Sequence, residues 1–227
     1  MPERTLFWVN GSIPSWQVML ALHEQGLPFE SRRLKVMSTP KETRAPAFLA
    51  INPRGQAPVL VEDGVVVVES MAILHFLERR HPGLLPSEPA ALARALGRAY
   101  EVERLRSAYR PLEMLFQPEA LTPKRLAAAR AAPERVREEL GLWEARAAEA
   151  PFIAGEAFSF ADVVFYPALA YQVRRGLKLE GFPRLVDYAA RVGARPAAVA
   201  ARPVGWGRKA GRDLFAEAGT LHRVRKT

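Results

Sequence analysis

The 227-residue chain contains no cysteine. That absence removes disulfides, zinc–thiolate centres and every mechanism with a cysteine nucleophile. Histidine is scarce too. His23, His75, His81 and His222 are scattered without the spacing of a ligand set, so no metal site is expected. No apolar run approaches the roughly 18 residues of a membrane-crossing helix. The opening residues Met1-Pro2-Glu3-Arg4-Thr5 lack the charged, apolar and small-residue zones of a secretion signal, so a cytoplasmic location is the expectation. What remains, 49% apolar and 25% charged residues, is the balance of a globular protein, which excludes a disordered or fibrous chain. The length suits two modest domains or one large one.

Acidic charge is in short supply, and unevenly so. The net charge is +9, yet residues 1–85 are nearly neutral, with 9 basic and 8 acidic side chains. The excess sits in residues 86–227, and from Arg202 onward Arg202, Arg208, Lys209, Arg212, Arg223, Arg225 and Lys226 oppose only Asp213 and Glu217. Such a surface attracts anions. No nucleic-acid-binding motif accompanies it, so a solvated face and a basic tail account for it.

Thr5 to Val9 is a short aromatic and β-branched run, a strand. Asn10-Gly11-Ser12-Ile13-Pro14 forms a turn cluster, and helical spacing of apolar residues runs from Ser15 to Gln25, ended by Gly26. Pro28 to Leu34 reads as a second strand and Lys41 to Ile51 as weakly helical. Val59 to Glu62 and Val65 to Val68 flank the hairpin turn Asp63-Gly64, and a helix covers Met71 to Glu78. The order β-α-β-α-β-β-α is that of a thioredoxin-like α+β domain. Beyond a linker at Leu84 to Glu88 the strand signals stop. Helix formers fill about Pro89 to Leu115 and Pro123 to Glu149, with further helices starting at Ser159 and near Pro183. Glycines interrupt the segment after Pro203, where only Asp213 to Ala218 suits a helical turn. The expected organisation is a thioredoxin-like domain over 1–84, an all-α helical bundle over 89–202 and a basic, partly mobile C-terminal extension over 203–227.

Three local patterns carry chemistry. Ser12 stands directly after the first strand at the opening of a helix, where free N–H groups and the macrodipole favour negative charge; a thiol placed there shifts towards thiolate. Ser12 or Ser15 would serve equally well as a plain helix cap. Gln56-Ala57-Pro58-Val59 enters a strand. If the Ala57–Pro58 bond is cis, the Ala57 backbone can pair with an extended peptide as an added strand would. Glu69-Ser70 begins the helix after the hairpin and offers N–H groups and a hydroxyl to a carboxylate, with Glu69 left to take an amine.

These patterns lie in one domain in a fixed order. With LALHEQGLPFE, FLAINPRGQAPVLVEDG and VVVESMAILHFLE, the stretch from Leu6 to Pro86 resembles the cytosolic glutathione S-transferases. Ser12 to Val18 is similar to the serine motif of the zeta, tau and related classes, and the whole chain is nearest to the rho-type members. In the second domain, Phe152-Ile153-Ala154-Gly155-Glu156 followed by Phe158-Ser159-Phe160-Ala161-Asp162 resembles the family's helix-capping motif. Ser159 and Asp162 have the spacing of a capping box with Asp in place of Glu, and losing Asp162 would cost about 1 kcal/mol, more if it is buried.

The resemblance implies the following roles. Ser12 is catalytic and holds the glutathione sulfur as thiolate. Arg44 and Gln56 hold the glycine end, Ala57 pairs through its main chain with Pro58 cis, and Glu69 and Ser70 hold the γ-glutamyl end. Arg44 falls where many members have Lys or Gln, Ala57 where they often have Val, and Ile13 replaces a small residue or proline. Glutathione is then a co-substrate, no metal is needed, and a small hydrophobic electrophile meets the thiolate in an apolar pocket lined by the helical domain. Tyr109, Phe116, Tyr166 and Trp206 are the aromatic candidates for contact with it, with core packing the commoner role for each. A homodimer is implied as well. Two other readings stay open: a zeta-type glutathione-dependent isomerase, although Gln17 stands where that motif usually has arginine, and a non-catalytic binding or assembly module. Thiol–disulfide exchange through a protein cysteine is excluded.

Overall fold

A computed structural model describes residues 3–117, 119, 121–208 and 211–221. The chain divides into two compact units, Met1–Pro86 with Gly193–Trp206, and Ser87–Val192 with Gly207–Thr227.

The first unit is built on strands β1 (Arg4–Val9), β2 (Glu30–Leu34), β3 (Val59–Glu62) and β4 (Val65–Val68) in the order β2-β1-β3-β4. β1 runs parallel to β2 and antiparallel to β3, with Arg4 opposite Glu62 and Phe7 opposite Val59; β3 pairs with β4 so that Val59 faces Val68. Asp63 and Gly64 join β3 to β4 with φ of 51° and 79°, the two positive values that a two-residue type I′ turn needs. Helices α1 (Ile13–Glu24), α2 (Pro46–Leu49) and α3 (Ser70–Arg80) complete the thioredoxin-like order, with a 3-10 turn at Glu42–Arg44 before α2. The weakly helical stretch is thus two short pieces, broken where Pro46 cannot donate to the preceding turn. α1 begins two residues earlier than its apolar spacing suggests, because Ser12 is its cap and Pro14 fits the first turn.

One end of the sheet is held by ions. The Arg4–Glu62 pair, 2.6 Å apart, has both side chains fully buried. Arg80 Nε lies 3.0 Å and His81 Nε2 3.3 Å from the other Glu62 oxygen, and Arg4 also donates to the Pro28 carbonyl at 2.9 Å. Burial pushes the Glu62 carboxyl pKa up, but the bonds from Arg4 and His81 and the charges of Arg4 and Arg80 outweigh it and leave it below the ordinary carboxylate range. Nearby, Glu78 accepts from the N–H groups of Gly83, Leu84 and Leu85, each at 3.0 Å, which fixes the chain where it leaves α3.

The expected boundary of the helical domain needs correction. Residues 193–202, placed by composition in the domain 89–202, belong to the first unit, as do 203–206 of the supposed extension. Arg195 grips Glu24 of α1 with two bonds of 2.6 and 2.7 Å, Asn10 exchanges bonds with the backbone of Val204, and the Trp206 ring stands edge-on to Trp16 at 4.7 Å. The helix within this segment, α8 (Pro196–Ala200), follows α7 (Pro183–Gly193) in the chain and lies beyond the reach of periodicity at five residues.

The second unit contains α4 (Pro89–Glu113), α5 (Pro123–Ala147), α6 (Phe160–Arg174), most of α7 and α9 (Leu214–Thr220). Ala95, Ala99, Ala129 and Ala132 are buried on α4 and α5, where small side chains let helices approach closely. Trp143 stacks on Phe165 at 4.2 Å, beside Tyr188. The capping box forms at α6, where Asp162 accepts from the Ser159 N–H at 2.8 Å and also from the Ile153 N–H at 2.9 Å. α9 matches the helical turn expected at Asp213 to Ala218, and Leu214 and Ala218 bury it. Of the extension, Lys209, Ala210 and 222–227, His222 included, lie outside the described residues.

Candidate functional site

Strand register gathers the singled-out residues of the first unit at one end of the sheet. Val59 pairs with both Phe7 and Val68, so Ala57-Pro58 ahead of β3, Ser12 beyond β1 and Glu69-Ser70 beyond β4 all lie past the same edge. The ion cluster on Glu62 occupies the opposite end.

Ser12 is half-buried and in extended conformation at the α1 N-terminus, and its hydroxyl oxygen accepts from the Ser15 N–H at 3.3 Å. An oxygen that accepts in this way keeps its own proton available for donation. Ser15 is different. It is fully buried, and its oxygen accepts from the Val9 N–H at 3.2 Å, so it ties helix to strand. The structure therefore divides between two serines what the motif alone leaves ambiguous.

The Ala57–Pro58 bond is cis. Among the described residues the Ala57 backbone has no hydrogen-bond partner, while the Gln56 carbonyl accepts from the Asn52 side chain at 2.7 Å. Gly55 adopts φ +62°, and a Cβ there would stand 2.7 Å from the Thr43 carbonyl and 2.9 Å from Nη1 of Arg44. Only glycine fits, and its bareness is what lets Arg44 lie one residue from Gln56. Arg44 and Gln56 are both exposed, and Arg44 donates to the Arg54 carbonyl at 3.3 Å.

Glu69 has φ +69°, a conformation that non-glycine residues rarely enter and that costs about 1–3 kcal/mol. Its exposed side chain makes no capping bond to α3. The first-turn N–H groups of α3 thus keep no acceptor from their own cap, and an acid stands beside them. Sequence reading offers no signal for this strain, since positive φ is not encoded by Glu.

The four aromatic candidates do not converge. Tyr109 and Tyr166 are 2% and 5% exposed in the core of the helical unit, and burial pushes the Tyr109 phenol pKa far up. Phe116 is 40% exposed and faces the guanidinium groups of Arg175 and Arg212. Trp206, which the sequence reading placed in the extension over 203–227, belongs to the first unit. Among the described residues no cluster of His, Asp or Glu is placed to hold a metal, and no helix is long and apolar enough to cross a membrane.

The family models "Glutathione S-transferase, N-terminal domain" and "Glutathione S-transferase, C-terminal domain" match residues 12–80 and 105–196. A curated relative, Glutathione S-transferase A of Pleuronectes platessa, is 33% identical over 215 residues, which span 90% of this chain and 93% of the relative. The chain belongs to the glutathione S-transferase family. This transferase also resembles the maleylacetoacetate isomerase of Pseudomonas aeruginosa, with 32% identity over 213 residues that cover 87% and 95% of the two chains. Its fold superposes on the crystal structure of a glutathione S-transferase from the Antarctic clam Laternula elliptica with a TM-score of 0.85, at 27% identity, over 95% of this chain and 99% of that one.

Proposed function

We propose that this transferase ionises the thiol of bound glutathione through Ser12 and adds the sulfur to a hydrophobic electrophile. The observation that carries the reading is the pairing of a half-buried N-cap hydroxyl with an unpartnered Ala57 backbone at the same end of one sheet. An extended tripeptide adds to Ala57 as a short strand does. Its γ-glutamyl carboxylate meets the first-turn N–H groups of α3 and the Ser70 hydroxyl, its amine meets Glu69, and its glycine end meets Gln56 and Arg44. Pro58 shapes the approach and donates nothing. The Cys sulfur then comes to Ser12, whose proton and helix end stabilise the thiolate, the nucleophilic form. The enzyme works in the cytoplasm as a homodimer, and a solution mass near 25.2 kDa by light scattering would overturn the dimer.

The test is Ser12→Ala. A hydrogen bond to a charged group contributes about 1.5–3 kcal/mol, so the bound thiol pKa rises by about 1–2 units towards the free value near 8.5. Ultraviolet titration of the bound thiolate reads that shift directly, and conjugation below neutral pH falls by about 10- to 100-fold. An unchanged pKa removes Ser12 from the mechanism. Near-background rates in both proteins favour a binding module.

The likeness to the Pseudomonas isomerase supports a second reading, glutathione-dependent isomerisation of a maleyl-type diacid. Turnover of such a diacid against a chlorinated aromatic separates the two. Gln17, almost fully buried in α1, stands where the isomerase-type serine motif places arginine, and this favours conjugation.

A further inference from the structure

Within the first unit, two turns from opposite ends of the chain meet beside Ser12. Val9-Asn10-Gly11-Ser12 is closed by the Ser12 N–H, which donates to the Val9 carbonyl at 3.2 Å, and Gly11 has φ +77°. Pro203-Val204-Gly205-Trp206 is closed in the same way, by the Trp206 N–H on the Pro203 carbonyl at 3.0 Å, and Gly205 has φ +80°. Each turn thus has glycine with positive φ as its third residue, as a type II turn requires. Their second residues join them. The Asn10 side-chain oxygen accepts from the Val204 N–H at 2.8 Å, and its amide nitrogen donates to the Val204 carbonyl at 3.2 Å. Two residues on, the Trp206 ring stands edge-on at 4.7 Å to Trp16, the fourth residue of α1. Residues 204 and 206 therefore hold the chain on both sides of Ser12.

Ser12 needs that support. Its hydroxyl accepts from the Ser15 N–H at 3.3 Å, longer than the usual N–H···O range of about 2.7–3.2 Å, and the bond that closes its own turn lies at the far end of that range. On the helix side the Trp16 N–H donates to the Ser12 carbonyl at 2.9 Å and fixes the backbone there. On the strand side Asn10 and Gly11 are exposed, and a glycine confers no stiffness of its own. The two bonds from Asn10 to Val204 supply the anchor on that side. Direction matters here more than strength. A hydroxyl stabilises a developing charge when its proton points at it, and a misplacement of about 1 Å can cost about 100-fold in rate.

We propose that Asn10 is a positioning residue: clamped on the Val204 backbone, it orients the turn that carries Ser12 and so sets how well that hydroxyl stabilises the glutathione thiolate. The proposal rests on the reading of Ser12 given above. It makes the segment 203–206, which composition assigns to a basic extension, a working part of thiol activation that acts through Asn10.

Two variants cut the clamp from opposite sides. Asn10→Ala removes both bonds. Val204→Pro removes the N–H that Asn10 accepts, while proline suits the second position of a type II turn and the Val204 side chain, 59% exposed, packs little. Each should raise the pKa of the bound glutathione thiol by about 0.5–1 unit in ultraviolet titration, and lower conjugation below neutral pH by about 3- to 10-fold, through kcat. The double variant should shift no further than the larger single, because both cut one link. Both bonds are exposed, so melting temperatures should fall by no more than about 4 °C, and a merely structural role would move nothing else. Should one variant fail to fold, the other carries the same reading. In the Ser12→Ala protein, Asn10→Ala should add nothing to the thiol pKa. If Ser12→Ala shifts that pKa and neither clamp variant does, the proposal falls and the Ser12 reading stands. If none of the three shifts it, the Ser12 reading falls and takes the proposal with it. Additive shifts from the two clamp variants, or a shift by Asn10→Ala that persists without the Ser12 hydroxyl, also overturn the proposal.

Discussion

Replacing Asp162 by alanine removes a fully buried carboxylate that accepts three hydrogen bonds, from the Ile153 N–H at 2.9 Å, the Ser159 N–H at 2.8 Å and the Ser159 hydroxyl at 3.0 Å. The hydroxyl can rotate to another acceptor; the two backbone donors cannot. Each buried donor left unsatisfied costs about 1–3 kcal/mol. Part of this is offset, because burial already raises the Asp162 pKa despite its bonds, so the ionised form is held at a cost that the alanine variant no longer bears. The net loss is about 2–4 kcal/mol, above the value expected of an exposed cap because Asp162 also secures the Phe152–Gly155 turn. For a chain of this size that corresponds to a fall in melting temperature of roughly 5–15 °C. Urea unfolding followed by helical circular dichroism should show a lower midpoint at constant slope. Asp162→Asn keeps one acceptor oxygen and should fall between the two. A loss for Asp162→Ala below about 0.5 kcal/mol, typical of a surface change, would refute the reasoning. So would an asparagine variant no better than alanine.

Other expectations test separate parts of the molecule. Glu62→Ala strands the buried Arg4 guanidinium and should cost about 3–5 kcal/mol in the same unfolding assay. Because the Glu62 pKa is depressed in the fold, its contribution is present above the unfolded value near 4.3 and disappears as pH falls through the folded value. Wild-type stability should therefore drop more steeply than that of the variant below about pH 4.3. Ser15→Ala should cost about 1–2 kcal/mol by orphaning the Val9 N–H, and leave the bound thiol pKa where it is, the reverse of Ser12→Ala. Gly176→Ala places a Cβ 1.8 Å from Oδ1 of Asp213, at φ +101°, and Asp213 caps α9 through the Ala216 N–H. Hydrogen exchange over 211–221 should accelerate as α9 detaches, and unaltered exchange there would show that the clash is absorbed elsewhere.

The sequence is legible where a side chain states its own purpose. Asp63-Gly64 specifies a turn, Ser159 with Asp162 specifies a helix start, and the change from β-branched runs to alanine, leucine and arginine marks where strands end. It is silent where meaning comes from a distant neighbour. Residues 193–206 have the composition of the helical domain yet belong with α1, because Glu24, Asn10 and Trp16, nearly two hundred residues earlier, supply their partners. Ser12 and Ser15 are chemically identical in the motif. Only the Val9 N–H, bonded to Ser15, tells the structural serine from the candidate catalytic one. Glu69 shows its strain in φ alone.

The two ends of the small sheet explain each other. A buried ion pair is a poor source of stability, since removing two charges from water costs nearly as much as their attraction returns. Arg4 and Glu62 are, however, register partners across β1 and β3, and a slip of one residue breaks the pair: Arg4 would face Val61 with Glu62 against Glu3, or Arg4 would face Asp63 with Glu62 against Thr5. The register so held is the one that sets Val59 opposite Phe7 and Val68, and so brings Ala57, Ser12 and Glu69 past the same edge. The charge cluster at the far end thus acts on the candidate site without touching it. It fixes which backbone atoms of the loop before β3 face the opening of α1.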